Sequence, residues 1–265
     1  MSSALPWQLS AAVDADLTLT CGRAGFASEL QAAAKAAGKT AAIHIKIDTG
    51  LHRIGFAPEE LGGLLSELQN APSLHVTGTF SHFSDTSDAV LCAREYLLNG
   101  TALETLRAAG IEPGLRHVAC SAASEQYPQY CLDAVRVGRR LFMDAPTAPR
   151  GDIREVSTWR SFVTMVHARS AGERVGYGGA VALERDAVLA TVGVGYGDGL
   201  TPALASAKAP VLIDGKRCTL LACCMDQCLI DVTGVDCRPG DEAVFFGYDR
   251  FGNCLPSQEV ALLIG

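Results

Sequence analysis

The chain has 265 residues, 48% hydrophobic and 19% charged, which is typical of a globular protein with one large domain or two medium ones. Its formal net charge of -7 argues against the positive surface that nucleic-acid binding needs. No apolar run approaches the ~18 residues that span a bilayer, and residues 1–10 lack the basic start of a signal peptide. We therefore expect a cytoplasmic protein with neither a membrane nor a nucleic-acid partner.

The ten cysteines are scattered among apolar residues, and no set of them has the paired spacing of a zinc site. Buried, reduced thiols are therefore the better interpretation, and they fit a reducing compartment. We expect no bound metal.

The first half of the chain alternates strand-like and helix-like segments. The predicted strands are 17–21, 43–48, 74–80, 117–120 and 134–138, and the predicted helices are 26–37, 58–69 and 90–109. Strand, helix and strand at this spacing indicate right-handed βαβ units and a parallel sheet.

From residue 159 onward we expect strands without helices. The predicted strands are 161–170, 187–194, 210–213, 217–222, 229–232 and 242–246, and Asp214-Gly215 is a two-residue hairpin turn. The second half is therefore predicted to be an all-β domain.

The segment 145–151, rich in Pro and Gly, is the predicted linker, which places the domains at 1–146 and 147–265. A closed parallel barrel needs eight strands and ~250 residues, and the first domain offers five strands. Either it is an open sheet, or it is a (β/α)8 barrel without its first strands.

The segment 43–48 alternates strictly between isoleucines and ionisable residues, so His44, Lys46 and Asp48 share one face of a strand. Three ionisable groups on a buried face are costly unless they meet partners. An edge strand with a wet face is the ordinary alternative. A Gly-containing loop with Arg53 follows directly, at the strand end where α/β folds bind ligands, and this favours a functional site.

Three later strand ends also carry polar groups. His82 follows one strand, Ser121 follows another, and the last strand contains Arg136 between two valines that we expect to be buried. Ser121, with the backbone N–H groups at Gly138 and Arg139, offers what a phosphate needs. Taken singly, a serine here is usually a helix cap and a histidine is usually structural. Together they favour a phosphorylated ligand.

The β half contains two glycine-flanked tyrosines, Tyr177 and Tyr196, whose rings the neighbouring glycines leave uncrowded. From the pattern alone, packing aromatics in turns are equally good interpretations. The segment 224–227 reads as a loop that carries the carboxylate of Asp226.

Six segments together resemble bacterial alanine racemase, a fold-type III pyridoxal phosphate enzyme. They are 46–56, 80–83, 121–123, 135–138, the pair of Gly-Tyr-Gly segments, and 224–227. The resemblance runs from about residue 16 to residue 265 in the family's order.

The resemblance implies an α/β plus all-β fold, namely a partial TIM-type barrel that binds pyridoxal 5'-phosphate and a C-terminal β-barrel-like domain. It implies an isomerase that interconverts L- and D-alanine for cell-wall precursors and works as a head-to-tail homodimer. The resemblance also implies roles for individual residues. At the substrate it implies Tyr177 as a catalytic base and Arg53 and Met225 as binding residues, with Tyr196 and Asp226 supporting the site. At the cofactor it implies that Ser121, Gly138 and Arg139 bind the phosphate, that Arg136 bonds the pyridine nitrogen with support from His82, and that Lys46 is carbamylated.

In this family a second base, the lysine that carries the cofactor, belongs to the first barrel strand. None of the five lysines here matches that motif, so we expect a piece of a racemase, cut at both ends, that does not racemise alone. Two alternatives stay open: a resistance-type serine racemase, and a non-catalytic fragment that pairs with an intact racemase subunit.

Overall fold

The structure, a computed structural model, describes residues 2–142 and 154–265. Two compact units divide the chain after residue 138. The predicted boundary at 146 and the predicted linker 145–151 lie outside the described residues.

The N-terminal unit is a four-stranded parallel sheet with the strand order β1-β2-β3-β4. Helices connect the strands, as the alternating pattern predicts. In chain order the elements are α1 (Leu9–Asp14), β1 (Leu19–Cys21), α2 (Phe26–Ala37), β2 (Ala41–Lys46), α3 (Leu61–Gln69), β3 (Leu74–Phe80), α4 (Ala89–Ala108), β4 (Leu115–His117) and α5 (Ser121–Gln126). This is a partial (β/α) barrel.

Helices cover one face of this sheet. Ile43, Ile45 and Ile47 have no exposed area and pack in one cluster with Phe26 and Leu30 of α2. The strict alternation of β2 therefore places its isoleucines against the helices and its ionisable residues on the opposite, inner face, as predicted.

The expected fifth strand at 134–138 is wrong. Only one isolated parallel bridge forms there, between Cys120 and Arg136. Val135 and Val137, expected to be buried, are 42% and 40% exposed. Because both valine side chains are exposed to solvent, a continuous strand at this position would bury little apolar area and gain little stability.

The C-terminal unit is an antiparallel β-barrel. Its sheet has the order β13-β12-β5-β8-β11-β10-β9, and an additional β12–β9 pairing closes six strands into a ring. The elements are β5 (Trp159–Arg169), β6 (Arg174–Val175), β7 (Val181–Ala182), β8 (Ala187–Val192), α6 (Pro202–Ser206), β9 (Pro210–Ile213), β10 (Lys216–Cys223), β11 (Cys228–Asp231), β12 (Glu242–Tyr248), β13 (Cys254–Leu255) and α7 (Ser257–Leu262).

The predicted hairpin is confirmed: Ile213 pairs with Lys216, and Asp214 and Gly215 both have positive φ, at 48° and 74°. The expectation that helices stop after residue 159 is wrong, since α6 and α7 both form. At α6 the reason is local, because the Thr201 side chain accepts a hydrogen bond from Ala203 N and Pro202 occupies the first turn.

None of the helices in the two described ranges is both long enough and apolar enough to cross a membrane. All ten cysteines are free of disulfides. Four of them are buried and six are half-buried, so the thiols are less uniformly buried than the sequence suggested.

Candidate active site

Lys46 ends β2 on the inner face of the parallel sheet and is 2% exposed. Its Nζ donates to the backbone oxygen of Ile47 at 2.5 Å and lies 5.8 Å from the centre of the Phe80 ring. Burial lowers the pKa of Lys46 to about 8, and the nearby Arg136 and Arg53 act in the same direction. A neutral, nucleophilic amine is therefore accessible near physiological pH.

The loop after β2 folds back over Lys46. Asp48 Oδ1 accepts hydrogen bonds from Gly50 N at 3.1 Å and His52 N at 3.0 Å. Gly55 has φ +121°, and a Cβ there would lie 2.9 Å from Cγ of Lys46. The glycine is thus required for this close approach. Arg53 is exposed at the tip of the loop.

Arg136 joins the ends of β3 and β4. Its Nη1 donates to Nδ1 and the backbone oxygen of His117, at 2.7 and 2.9 Å. Its Nη2 donates to His82 Nδ1 at 2.9 Å and to the backbone oxygens of Ser81 and Val118 at 2.8 and 3.0 Å. These acceptors occupy both terminal nitrogens, while the buried Nε has no partner.

The imidazoles beside Arg136 are held neutral. Burial, with the nearby Arg136 charge acting in the same direction, lowers the pKa of His82 to about 4 and that of His117 to about 4. Two neutral imidazoles and three backbone carbonyls therefore hold a buried guanidinium.

Sequence reasoning placed His44 on the inner face of β2, but it gave neither His44 nor His117 a role beside Arg136. Their signal was available: His44 alternates with Lys46 and so faces inward, and His117 lies in a predicted strand. What the sequence did not reveal is that these side chains meet across the sheet.

Ser121 opens α5, and Gly138 N donates to its hydroxyl oxygen at 3.1 Å. Two of the three residues predicted to bind phosphate, Ser121 and Gly138, are therefore adjacent. Arg139 is the first residue of the C-terminal unit. There it lines an apolar cavity of about 510 Å³ with Trp159 and Phe246.

In the C-terminal unit, Tyr177 and Tyr196 both begin short 3-10 turns and are 64% and 45% exposed. Gly176 has φ +79°, and a Cβ there would lie 2.8 Å from Cβ of Ala222. A glycine is therefore required where the turn that carries Tyr177 approaches Ala222.

The second tyrosine loop is bound to the 224–227 loop by backbone contacts. Tyr196 N donates to Cys224 O at 2.9 Å, and Gly197 N donates to Met225 O at 2.8 Å. The side chains of Met225 and Asp226 are exposed. Two segments singled out separately in the sequence thus form one surface of this unit.

Within the described ranges no group of three His, Cys, Asp or Glu side chains could hold a metal ion. The inner face of the N-terminal unit offers an amine, a guanidinium group and neutral imidazoles, and the loops of the C-terminal unit offer phenols.

Family models match both parts of the chain: "Alanine racemase, N-terminal domain" over residues 1–146 and "Alanine racemase, C-terminal domain" over residues 156–265. The chain belongs to the alanine racemase family. It is 37% identical over 246 residues to the alanine racemase of Desulfovibrio desulfuricans, covering 90% of this chain and 65% of that protein. It is 34% identical over 271 residues to that of Desulforamulus reducens, covering 98% and 71%.

Among solved structures, the alanine racemase of Streptomyces coelicolor A3(2) aligns with a TM-score of 0.88 at 30% identity, covering 97% of this chain and 70% of that one. The chain spans about two thirds of the length of the curated alanine racemases that it matches.

Proposed function

We propose that this chain supplies part of the active site of a pyridoxal phosphate-dependent racemase that acts on alanine. The observation that carries the proposal is the state of Arg136. Both of its terminal nitrogens are occupied, and its buried Nε–H lacks an acceptor. A buried N–H without an acceptor is costly, and the ring nitrogen of a pyridine supplies one. When bound, pyridoxal phosphate withdraws electrons from the Cα of an amino acid and so makes its proton easier to remove.

In this proposal Arg136 holds the pyridine nitrogen, and His82 supports the guanidinium. Because a guanidinium does not give up its proton, it leaves the pyridine nitrogen unprotonated. Ser121 and the backbone near Gly138 and Arg139 hold the phosphate. The hydrogen bond between Gly138 N and the Ser121 hydroxyl supports this assignment, since it brings those two groups together.

We further propose that Lys46 is carbamylated and that Arg53 binds the substrate carboxylate. Burial supports the first step, because the lowered pKa of Lys46 makes the neutral amine available. That amine attacks CO₂, forms an N–C bond and releases one proton to solvent, and the anion produced faces the cationic Arg53.

Tyr177 is the proposed base on one face of Cα. Its exposure supports a role toward a partner, since the family resemblance implies a head-to-tail homodimer in which the β-barrel unit completes the partner's site. Tyr196 lines the entrance, the main chain of Met225 borders the substrate, and Asp226 supports that loop. The proposed compartment is the cytoplasm.

The opposite face of Cα requires a second base. Lys46 is the one lysine on the inner sheet face among the described residues, and the proposal gives it another role. We therefore propose that the chain alone binds pyridoxal phosphate weakly and does not racemise alanine. The serine alternative is not favoured, since the relatives reported above are all named alanine racemases.

Equilibrium dialysis against pyridoxal 5'-phosphate tests the cofactor proposal. Arg136→Ala removes the whole guanidinium and is expected to weaken binding at least tenfold, since one lost hydrogen bond of about 1.4 kcal/mol already has that effect. Arg107→Ala, at the exposed end of α4, is the matched control and leaves binding unchanged. Equal affinity in wild type and Arg136→Ala would refute the assignment of Arg136.

A second assay tests activity and pairing. The purified chain with cofactor is expected to show no alanine turnover, and measurable turnover would contradict the proposal. Co-expression with a full-length family subunit whose own catalytic tyrosine has been replaced is expected to restore turnover. The Tyr177→Phe variant of this chain is expected not to restore it.

A further inference from the structure

His44 lies in the middle of β2, and its ring extends across the neighbouring strand β3. Its partner in register on β3 is Gly78. A Cβ at Gly78 would lie 2.6 Å from Cε1 and Nε2 of the imidazole. Only a glycine at position 78 leaves space for the His44 ring to cross β3 and reach His117 on β4.

Three hydrogen-bonding groups follow one another along this path. His44 Nδ1 lies 3.0 Å from His117 Nε2, and His117 Nδ1 lies 2.7 Å from Arg136 Nη1. The His117 ring is stacked on Phe80, with centroids 5.0 Å apart and planes at 9°. Stacking fixes the plane of the His117 ring but not which of its two edges faces Arg136, and the hydrogen bonds select that edge.

The chemistry of arginine fixes the direction of every bond in the chain. A guanidinium only donates, so Nδ1 of His117 must accept and its proton must be on Nε2. Nε2 then donates, so Nδ1 of His44 must accept and the His44 proton must also be on Nε2. By the same argument His82, which receives Arg136 Nη2 at its Nδ1, carries its proton on Nε2.

We infer that His44 is a positioning residue for Arg136. As the acceptor for His117 Nε2–H, it holds the His117 ring in the orientation that presents a lone pair to the guanidinium. That orientation in turn directs the free Nε–H of Arg136 toward its ligand, a consequence that rests on the proposed function.

The surroundings keep His44 and His117 neutral, which this series of hydrogen bonds requires. Burial lowers the pKa of His44 and of His117. The Arg136 charge acts on His117, and the Arg53 charge acts on Arg136. Lys46, two residues after His44 on β2, is near Asp48 and Arg53 of the following loop, Glu95 of α4 and Arg136. A protonated His44 would direct an N–H at the N–H of His117, and the chain could not form.

Side-chain ¹⁵N NMR of the cofactor-free chain tests the inference without using activity. In the wild type at pH 7.5, His44, His82 and His117 are each expected to show a protonated Nε2 and an unprotonated Nδ1. A proton on Nδ1 of His117 or of His44 would overturn the inference.

Three variants separate positioning from folding. His44→Asn places an amide oxygen where Nδ1 lies, and it is expected to retain the wild-type signals of His117 and of Arg136 Nε–H. His44→Leu removes the acceptor and is expected to shift the His117 Nε2 signal and to shift or broaden that of Arg136 Nε–H. Gly78→Ala displaces the ring and is expected to act like His44→Leu although every titratable group remains. Gly100→Ala, where an added Cβ meets nothing within 4 Å, is the control.

Two results would overturn the inference: Arg136 Nε–H signals in His44→Leu that match the wild type, or signals in His44→Asn that shift as far as those in His44→Leu. A pyridoxal 5'-phosphate titration of the same samples keeps the two proposals distinct. If no sample binds the cofactor while the NMR pattern holds, the proposed function fails and the positioning role of His44 stands.

Discussion

The two units differ in where their candidate functional side chains lie. In the N-terminal unit the strands themselves carry them, and Lys46, Thr79 and His117 are each less than 10% exposed. In the C-terminal unit the barrel interior is filled by a cluster of aliphatic and aromatic residues with two cysteines, and Tyr177, Tyr196 and Met225 lie exposed on loops. A sheet covered on one face can present buried chemistry on the other, whereas a small closed barrel is filled by its core and presents chemistry from its loops.

The largest expected effect tests whether backbone packing holds the loops of the C-terminal unit. A Cβ at Gly195 would lie 2.3 Å from Cys224 O and 2.4 Å from Met225 O. Because both are backbone atoms, no side chain can move away, and Gly195→Ala is expected to lower the free energy of unfolding by about 3 kcal/mol. Gly193→Ala, whose Cβ would meet Thr164 at 3.6 Å, is the control. Urea denaturation measures both, and equal midpoints would show that the two loops are not packed together.

The next effect tests whether neutral imidazoles stabilise the N-terminal unit. His82 and His117 have folded pKa values of about 4, below the usual 6.5, so unfolding takes up protons as the pH falls from 6.5 toward 4. Their stabilisation is fully present above pH 6.5 and is lost below it, and the part that His82 alone contributes between pH 7.5 and pH 5 is about 2 kcal/mol. Urea denaturation at the two pH values checks this. His82→Asn retains an acceptor for Arg136 but does not titrate, and an undiminished pH dependence in that variant would contradict the assignment.

A smaller effect concerns the buried carboxylate of Glu95 in α4, which is 2% exposed. It accepts hydrogen bonds from Ser84 N at 2.9 Å and from the Ser84 hydroxyl, and it lies against Gly50. Glu95→Ala leaves these donors without a partner and is expected to cost about 1.5 kcal/mol. Glu104→Ala on an exposed position of the same helix is the control. A Glu95→Ala variant as stable as this control would show that the loops after β2 and β3 are held by other contacts.

The smallest effect concerns the surface of the barrel unit. Arg217 and Glu259 form an ion pair with side chains 50% and 38% exposed. Such pairs contribute little in water, so Arg217→Ala is expected to change the free energy of unfolding by less than about 1 kcal/mol. A loss above that value in thermal or urea unfolding would mean that surface charge, and not only the apolar interior, stabilises the barrel.

Local sequence patterns were sufficient for most of the elements. The alternation in β2 predicted both of its faces, the helix 26–37 matches α2, and Asp214-Gly215 predicted its hairpin. The failure at 134–138 has a physical cause: alternating valines predict a strand only if something covers them, and coverage is a tertiary property. The short α6 and α7 were missed because five or six residues give too few turns for helical periodicity to appear.

In the candidate site, too, local sequence patterns predicted some features, while contacts between distant parts of the chain could not be predicted. Residues that follow strands could be grouped from the sequence, because parallel strand ends meet at one edge. The link from His44 through His117 to Arg136 could not, because it depends on Gly78 leaving space between two strands that are not neighbours. No spacing along the chain encodes that contact.

The β12–β9 pairing affects which part of the molecule is expected to aggregate on heating. It leaves the ring of six strands without a free edge, while β1 and β4 end the order of the parallel sheet. Unpaired main-chain groups on an edge strand recruit other chains, and a ring offers none. Intermolecular β-structure formed on mild heating should therefore grow from the N-terminal unit, with barrel amides still protected from hydrogen exchange when the first aggregates appear.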